Sequence, residues 1–275
     1  MKTPTIFFSD LDGTLLNDQK IITPKTKEAI EAYTAAGNRF VICTGRPLSS
    51  ALTLFDQLGL PDKGSYIISY NGAQIYDCGA KKLIVNLGLD IDEVRALFAL
   101  AEEMGVYIQT YNNTDIVCRV YDKHTEHYVN ITKMSVVVND DPIEALTDPA
   151  TGEVLRPAKL LAVELTDKAR IDAFKDEVLK RYGDHLSVLY SNPLFLEVFS
   201  SQAGKGNAVK SLCQHLGIPI ENSISAGDMD NDYSMLEVTG RSVCMINGTD
   251  SLKAIATDIT SEDNNHDGLV PYLVP

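Results

Sequence analysis

The fold is decided by Phe7-Phe8-Ser9-Asp10-Leu11-Asp12-Gly13-Thr14-Leu15-Leu16. With Ile6 before it, the apolar run reads as a short buried strand. Two carboxylates follow, two residues apart, and then Gly13, which lets the chain turn where other residues resist turning. In extended backbone, positions i and i+2 face the same way, so Asp10 and Asp12 are expected to crowd together at the strand's carboxyl end. Adjacent anions repel, and a fold commonly keeps them for a bound cation or a shared proton. The plain alternative is an acidic turn, because Asp and Gly are frequent after strands.

Working outward, Thr23-Pro24 opens a helix with a hydroxyl cap and a proline in its first turn. A strand from Arg39 to Cys43 runs into Thr44-Gly45-Arg46-Pro47, and a second helix ends at Gly59. A third strand, Tyr66 to Ser69, reaches Tyr70-Asn71-Gly72, where Asn-Gly predicts a tight hairpin. Strands alternating with helices in this way predict a parallel sheet with covering helices. The rhythm changes near Leu83 and returns after about Tyr190. The expected fold class is therefore α/β: a doubly wound, parallel-sheet core of residues 1–82 and 191–275, with an inserted α+β cap at 83–190.

Asp10-Asp12, Thr44-Gly45-Arg46 and Gly227-Asp228 each directly follow an apolar strand. In an open parallel sheet, ligands bind outside the carboxyl ends of the strands, so all three clusters fall on one edge. Lys205 opens a helix. Alone it reads as a solvated lysine, and a cation there opposes the helix dipole unless an anion is near. Asn71 reads first as a turn former and second as a ligand-facing residue. Arg46 reads equally as a surface cation or a sheet-edge ion pair. Gly204-Lys205-Gly206 lacks the spacing of a nucleotide-binding phosphate loop. His124 and His127 could suit a metal, but nothing in the Tyr121–Thr132 stretch brings them together. With Arg119, Tyr121 and Tyr128 they could instead line a substrate-facing surface.

Asp10-Leu11-Asp12-Gly13-Thr14-Leu15, Thr44-Gly45-Arg46-Pro47, Tyr70-Asn71-Gly72-Ala73, Lys205-Gly206 and Gly227-Asp228-Met229-Asp230-Asn231-Asp232 together resemble the haloacid dehalogenase superfamily. Within it, the chain is most similar to the Cof-type branch of small-molecule phosphatases. The resemblance implies Asp10 as nucleophile and Asp12 as general acid and base. It implies Mg²⁺ held by Asp10, Asp228 and the Asp12 carbonyl, with Asp232 behind them. It places Thr44, the Gly45 amide and Asn231 at the phosphate, Lys205 between phosphate and Asp10, and Arg46 and Asn71 on the substrate side. The implied activity is Mg²⁺-dependent hydrolysis of small phosphate esters, sugar phosphates foremost. A phosphomutase, a phospho-accepting receiver module and a non-catalytic sugar-phosphate sensor are the competing readings.

The 275 residues are 44% hydrophobic and 23% charged, as in a globular chain. A net charge of −14 argues against nucleic acid or an anionic membrane surface as partner. It leaves room for an anionic substrate, since a metal and a few cations can dominate one pocket. Apolar runs are too short to span a bilayer, and Met1-Lys2-Thr3-Pro4 carries no secretory signal, so a cytoplasmic location is expected. Five scattered cysteines contain no Cys-x-x-Cys pair, which predicts neither a disulfide framework nor a zinc site.

Overall fold

The computed structural model describes residues 5–112, 114–148 and 151–274; the first four residues, invoked above for a missing signal, lie outside this range. The chain divides into two units, one running to Asn86 and resuming at Ala203, the other spanning Leu87–Gln202.

The first unit begins β1 (Ile6–Ser9), α1 (Pro24–Ala35), β2 (Arg39–Cys43), α2 (Leu48–Leu58), β3 (Tyr66–Ser69), β4 (Gln74–Asp77) and β5 (Lys82–Asn86). The second contains α3 (Ile91–Glu103), β6 (Tyr107–Tyr111), β7 (Ile116–Cys118), α4 (Lys123–Thr132), β8 (Val136–Val138), α5 (Pro142–Ala145), β9 (Lys159–Val163), α6 (Lys168–Tyr182), β10 (Leu186–Asn192) and β11 (Phe195–Ser200). The first unit then resumes with α7 (Lys205–Leu216), β12 (Ser223–Gly227), α8 (Tyr233–Val238), β13 (Arg241–Cys244), α9 (Asp250–Ile255) and β14 (Asp258–Ile259).

The first sheet has the order β14-β13-β12-β1-β2-β3-β4-β5. It is parallel from β14 to β3 and antiparallel for β4 and β5. Both faces of β1 and β2 are buried, which is why those strands read as unbroken apolar runs. Phe7, Phe40 and Ile42 pack with Ile30 and Tyr33 of α1 and Leu54 and Phe55 of α2. Ile6, Phe8, Val41 and Cys43 face the other way, onto Val209 and Leu212 of α7 and Met235 and Leu236 of α8. The chain winds outward from β1 in one direction through β2 and β3, and in the other through β12, β13 and β14. The strand order therefore reverses at β1, and the crevice of a doubly wound sheet opens where it does.

The helix signals act as expected. Thr23 accepts a hydrogen bond from the Thr26 N–H at 3.2 Å, with Pro24 in the first turn of α1. The Tyr121–Thr132 stretch, without clear periodicity, becomes α4 because Asp122 caps it. Two details differ from expectation. β5 pairs antiparallel with β4, so the insertion begins after Asn86 rather than at 83. β11 pairs with β9 in the second sheet, of order β10-β11-β9-β6-β7-β8, so the insertion ends near Gln202 rather than at 190. In both places the hydrogen-bonding partner, not the strand's own residues, decides ownership. The expected hairpin between β3 and β4 forms, with Ser69 opposite Gln74 and positive φ at Tyr70, Asn71 and Gly72 in the loop. Among the described residues, no helix is long and apolar enough to cross a membrane.

Candidate active site

Strands β1 and β12 are neighbours in register, with Ser9 opposite Ala226. The residues just beyond this pair are thus forced to the same edge: Asp10, whose N–H still donates to the Ala226 carbonyl at 3.0 Å, and Gly227-Asp228. Asp10, Asp228 and Asp232 are all buried and bring one carboxylate oxygen each within 4.8 Å of one another. Lys205, the first residue of α7, is fully buried with them. Its Nζ donates to Asp10 Oδ1 at 2.5 Å and to Asp232 Oδ1 at 2.6 Å. The cation that looked misplaced at a helix start is held by two anions.

Asp232 spends both oxygens. Oδ1 takes Lys205, and Oδ2 accepts from the N–H groups of Asp228 and Met229 at 3.0 and 3.2 Å. It fixes the turn that carries Asp228. Asp228 Oδ1 accepts from the hydroxyl of Thr14 at 2.8 Å, a buried residue of the opening motif to which sequence reasoning gave no role. Gly13 closes the approach: at φ +79°, a Cβ there would lie 2.3 Å from Asp228 Oδ2. Among the described residues, Asp10 Oδ2 accepts no hydrogen bond.

Electrostatics follow from this crowding. Burial pushes the Asp10 carboxyl up to about 7; Lys205 opposes the rise, and the carboxylates of Asp232 and Asp228 add to it. Burial and Asp232 push Asp228 up to about 7 as well. Burial works against the Lys205 charge, but Asp10 and Asp232 outweigh it and hold the ammonium above its ordinary value. Three carboxylates against one ammonium leave two negative charges when all are ionised, which is the charge a divalent cation cancels. The donors are all hard oxygens, the set that suits Mg²⁺.

Asp12 does not join the three carboxylates that gather within 4.8 Å of one another. The strand ends at Ser9 and the chain turns at Leu11, whose carbonyl accepts from the Leu16 N–H at 2.8 Å, so the alternation of extended backbone no longer applies. The Asp12 carboxylate is gripped by two cations. Arg46 donates from Nε to Oδ2 at 2.7 Å and from Nη2 to Oδ1 at 2.6 Å, and Lys20 Nζ reaches Oδ1 at 2.7 Å. Burial raises the Asp12 pKa, but the Arg46 fork and Lys20 outweigh it and leave the carboxyl below its ordinary value. Arg46 is thus an ion-pair partner of Asp12 here. Nothing in the sequence signals Lys20.

Thr44 is buried at the end of β2, and its Oγ1 accepts from the Arg46 N–H at 3.1 Å. Among the described residues, the N–H groups of Leu11, Asp12 and Gly45 find no acceptor. Backbone donors left unpaired beside a buried site are where an anion is held. Asn231, exposed after β12, donates from Nδ2 to Asn71 Oδ1 at 3.1 Å. In the other unit, His124 pairs with Asp122 at 2.9 Å and His127 lies edge-on to Phe195. Neither joins a metal-ligating group among the described residues.

Residues 7–273 match the family of haloacid dehalogenase-like hydrolases. A haloacid dehalogenase-like hydrolase from Bacteroides thetaiotaomicron has a solved structure with a TM-score of 0.87 to this one, at 28% identity and covering 98% of each chain. Two proteins of Bacillus subtilis (strain 168), both named 5-amino-6-(5-phospho-D-ribitylamino)uracil phosphatase, are also similar. YitU is 29% identical, covering 98% of this chain and 96% of its own length, and YwtE is 27% identical, covering 96% and 95%. With an acidic trio at the switch point of a doubly wound sheet, the chain belongs to the Cof-type branch of the haloacid dehalogenase superfamily and is a phosphatase.

Proposed function

We propose that this phosphatase is Mg²⁺-dependent and hydrolyses small phosphate monoesters of the sugar and polyol class through an aspartyl phosphate on Asp10. The observation that carries the reading is a buried Asp10 with one oxygen on Lys205 and the other unengaged, at the mouth of the sheet's switch point. A carboxylate so placed can displace an alkoxide when the phosphoryl charge is neutralised.

In the first half, an Asp10 oxygen bonds to phosphorus, the bond from phosphorus to the ester oxygen breaks, and that oxygen takes a proton from Asp12. In the second, Asp12 removes a proton from water, the water oxygen bonds to phosphorus, and the bond to Asp10 breaks, releasing inorganic phosphate. Asp12 is anionic in the grip of Arg46 and Lys20, so it must leave that fork and gain a proton before the first step. Thr44, the free N–H groups of Leu11, Asp12 and Gly45, and Lys205 hold the phosphoryl oxygens. The Asp10 and Asp228 carboxylates and the Asp12 carbonyl would hold Mg²⁺, which neutralises phosphoryl charge when bound. Asp232, with both oxygens engaged, orients Lys205 and Asp228 instead. The substrate class is supported by the two B. subtilis relatives, named as phosphatases of a phosphoribityl compound.

The test is phosphate release from sugar phosphates, polyol phosphates, phosphoribityl compounds and nucleotides, with Mg²⁺ and with EDTA, beside Asp10→Asn. Mg²⁺-dependent release, lost in Asp10→Asn and fastest on sugar or polyol esters, is expected. Release that survives Asp10→Asn overturns the covalent route, and release that survives EDTA overturns the metal requirement.

A further inference from the structure

The connection between β3 and β4 carries a conformational cost that a turn alone does not explain. Tyr70, Asn71 and Gly72 lie in succession at φ +49°, +53° and +92°. Asparagine tolerates the left-handed region, but a bulky tyrosine does not, and a run of such residues is rarer than a single one. Left-handed non-glycine residues are strained, and such strain collects at functional sites.

What the run achieves is specific. The Tyr70 N–H donates to the Arg46 carbonyl at 3.1 Å and the Asn71 N–H to the Thr44 carbonyl at 3.0 Å. Two successive donors thereby clamp both sides of Gly45. The Asn71 side chain lies over Gly45 so closely that a Cβ on that glycine would meet Asn71 Oδ1 at 2.9 Å. The same oxygen accepts from Asn231 Nδ2 at 3.1 Å. Thr44–Arg46 follows β2, Asn231 follows β12, and these two strands flank β1 on opposite sides. A single buried carboxamide spans the mouth of β1 and joins its two banks.

We propose that Asn71 is a positioning residue: its carboxamide aims Asn231 at the phosphoryl group held by the Thr44–Gly45 segment. The inference rests on the phosphatase reading above and deepens it. Asn71→Gly isolates the carboxamide, because glycine accepts φ +53° without strain and keeps the backbone bond to Thr44. A residue needed only to form the turn is replaced by glycine without loss.

The experiment measures the affinity of the full chain, with Mg²⁺, for inorganic phosphate by titration calorimetry. Thermal midpoints and the KM and kcat of phosphate release are measured alongside. Wild type, Asn71→Gly, Asn231→Ala and the double variant are compared. Asn71→Gly is expected to melt no lower than wild type while phosphate affinity falls about 10-fold, with KM rising in parallel, as for a misaimed hydrogen bond to a charged group. In the Asn231→Ala background the same change is expected to cost less than about 2-fold, since the two act as one unit. Unchanged phosphate affinity in Asn71→Gly overturns the proposal, as does an equal loss in both backgrounds. Turnover reports on the phosphatase reading separately: absent turnover sinks that reading, while the ratio of phosphate affinities still decides the role of Asn71.

Discussion

Replacing Lys205 with methionine removes the ammonium paired with the buried trio while keeping the length and bulk of the side chain. Two hydrogen bonds, at 2.5 and 2.6 Å, vanish, and Asp10 and Asp232 lose their shared counter-charge. Breaking a buried pair by deleting one partner costs about 3–5 kcal/mol. The site has an escape, however: one carboxyl can take up a proton in place of the lost charge. Protonating a carboxyl with an unfolded pKa near 3.9 costs about 1.4 kcal/mol for each pH unit above that value. The penalty is therefore capped near 4 kcal/mol at pH 7 and near 1.5 kcal/mol at pH 5. The sign follows from linkage. The variant's folded state binds one more proton relative to its unfolded chain than the wild type does, so its deficit shrinks as pH falls. At about 2–4 °C per kcal/mol, the deficit in thermal midpoint is about 8–16 °C at pH 7 and about 3–6 °C at pH 5. Scanning calorimetry in EDTA at both pH values reads it directly. A deficit of the same size at pH 5 and pH 7 refutes the reasoning, because it means that no carboxyl takes over the charge.

Two further outcomes follow from the same site. Gly13→Ala forces a Cβ to within 2.3 Å of Asp228 Oδ2 at φ +79°; a loss of about 2 kcal/mol in stability and about 100-fold in phosphate release is expected, and a variant that keeps full turnover contradicts the close approach. Because Asp10 and Asp228 both sit at about 7, Mg²⁺ must displace protons to bind; its calorimetric affinity is expected to tighten from pH 6 to pH 8, and a flat profile contradicts that.

Much of this site is legible in the chain because its parts stand at strand ends. Asp10 and Asp228 each follow an apolar run, and the alternating pattern puts those runs in one parallel sheet. The i+2 rule does not govern Asp12, because it holds only while the backbone stays extended, and β1 stops at Ser9. Arg46 was legible as a cation near the edge, but its choice of Asp12 depends on where the turn after Leu11 sends that carboxylate. Lys20 and Thr14 were invisible as partners, since each reaches its acid through a turn whose shape no periodicity records. The insertion's edges were misplaced for a related reason: β5 and β11 are ordinary strands, and only pairing tells which sheet owns them.

The central strand of the first sheet has consequences for how the chain is made. Ile6 pairs with Ser223, so one neighbour of β1 is synthesised more than two hundred residues after it. At about 5–20 residues per second, the nascent chain carries β1 with an open, apolar edge for roughly 10–40 s. The inserted unit is one uninterrupted segment and can complete its own sheet during that interval. The first unit must wait for its tail. Until β12 arrives, Asp10 has neither Lys205 nor Asp228, and the exposed strand edge is the site at which premature pairing with another chain is most favoured. The split core therefore ties catalytic competence to the last quarter of translation.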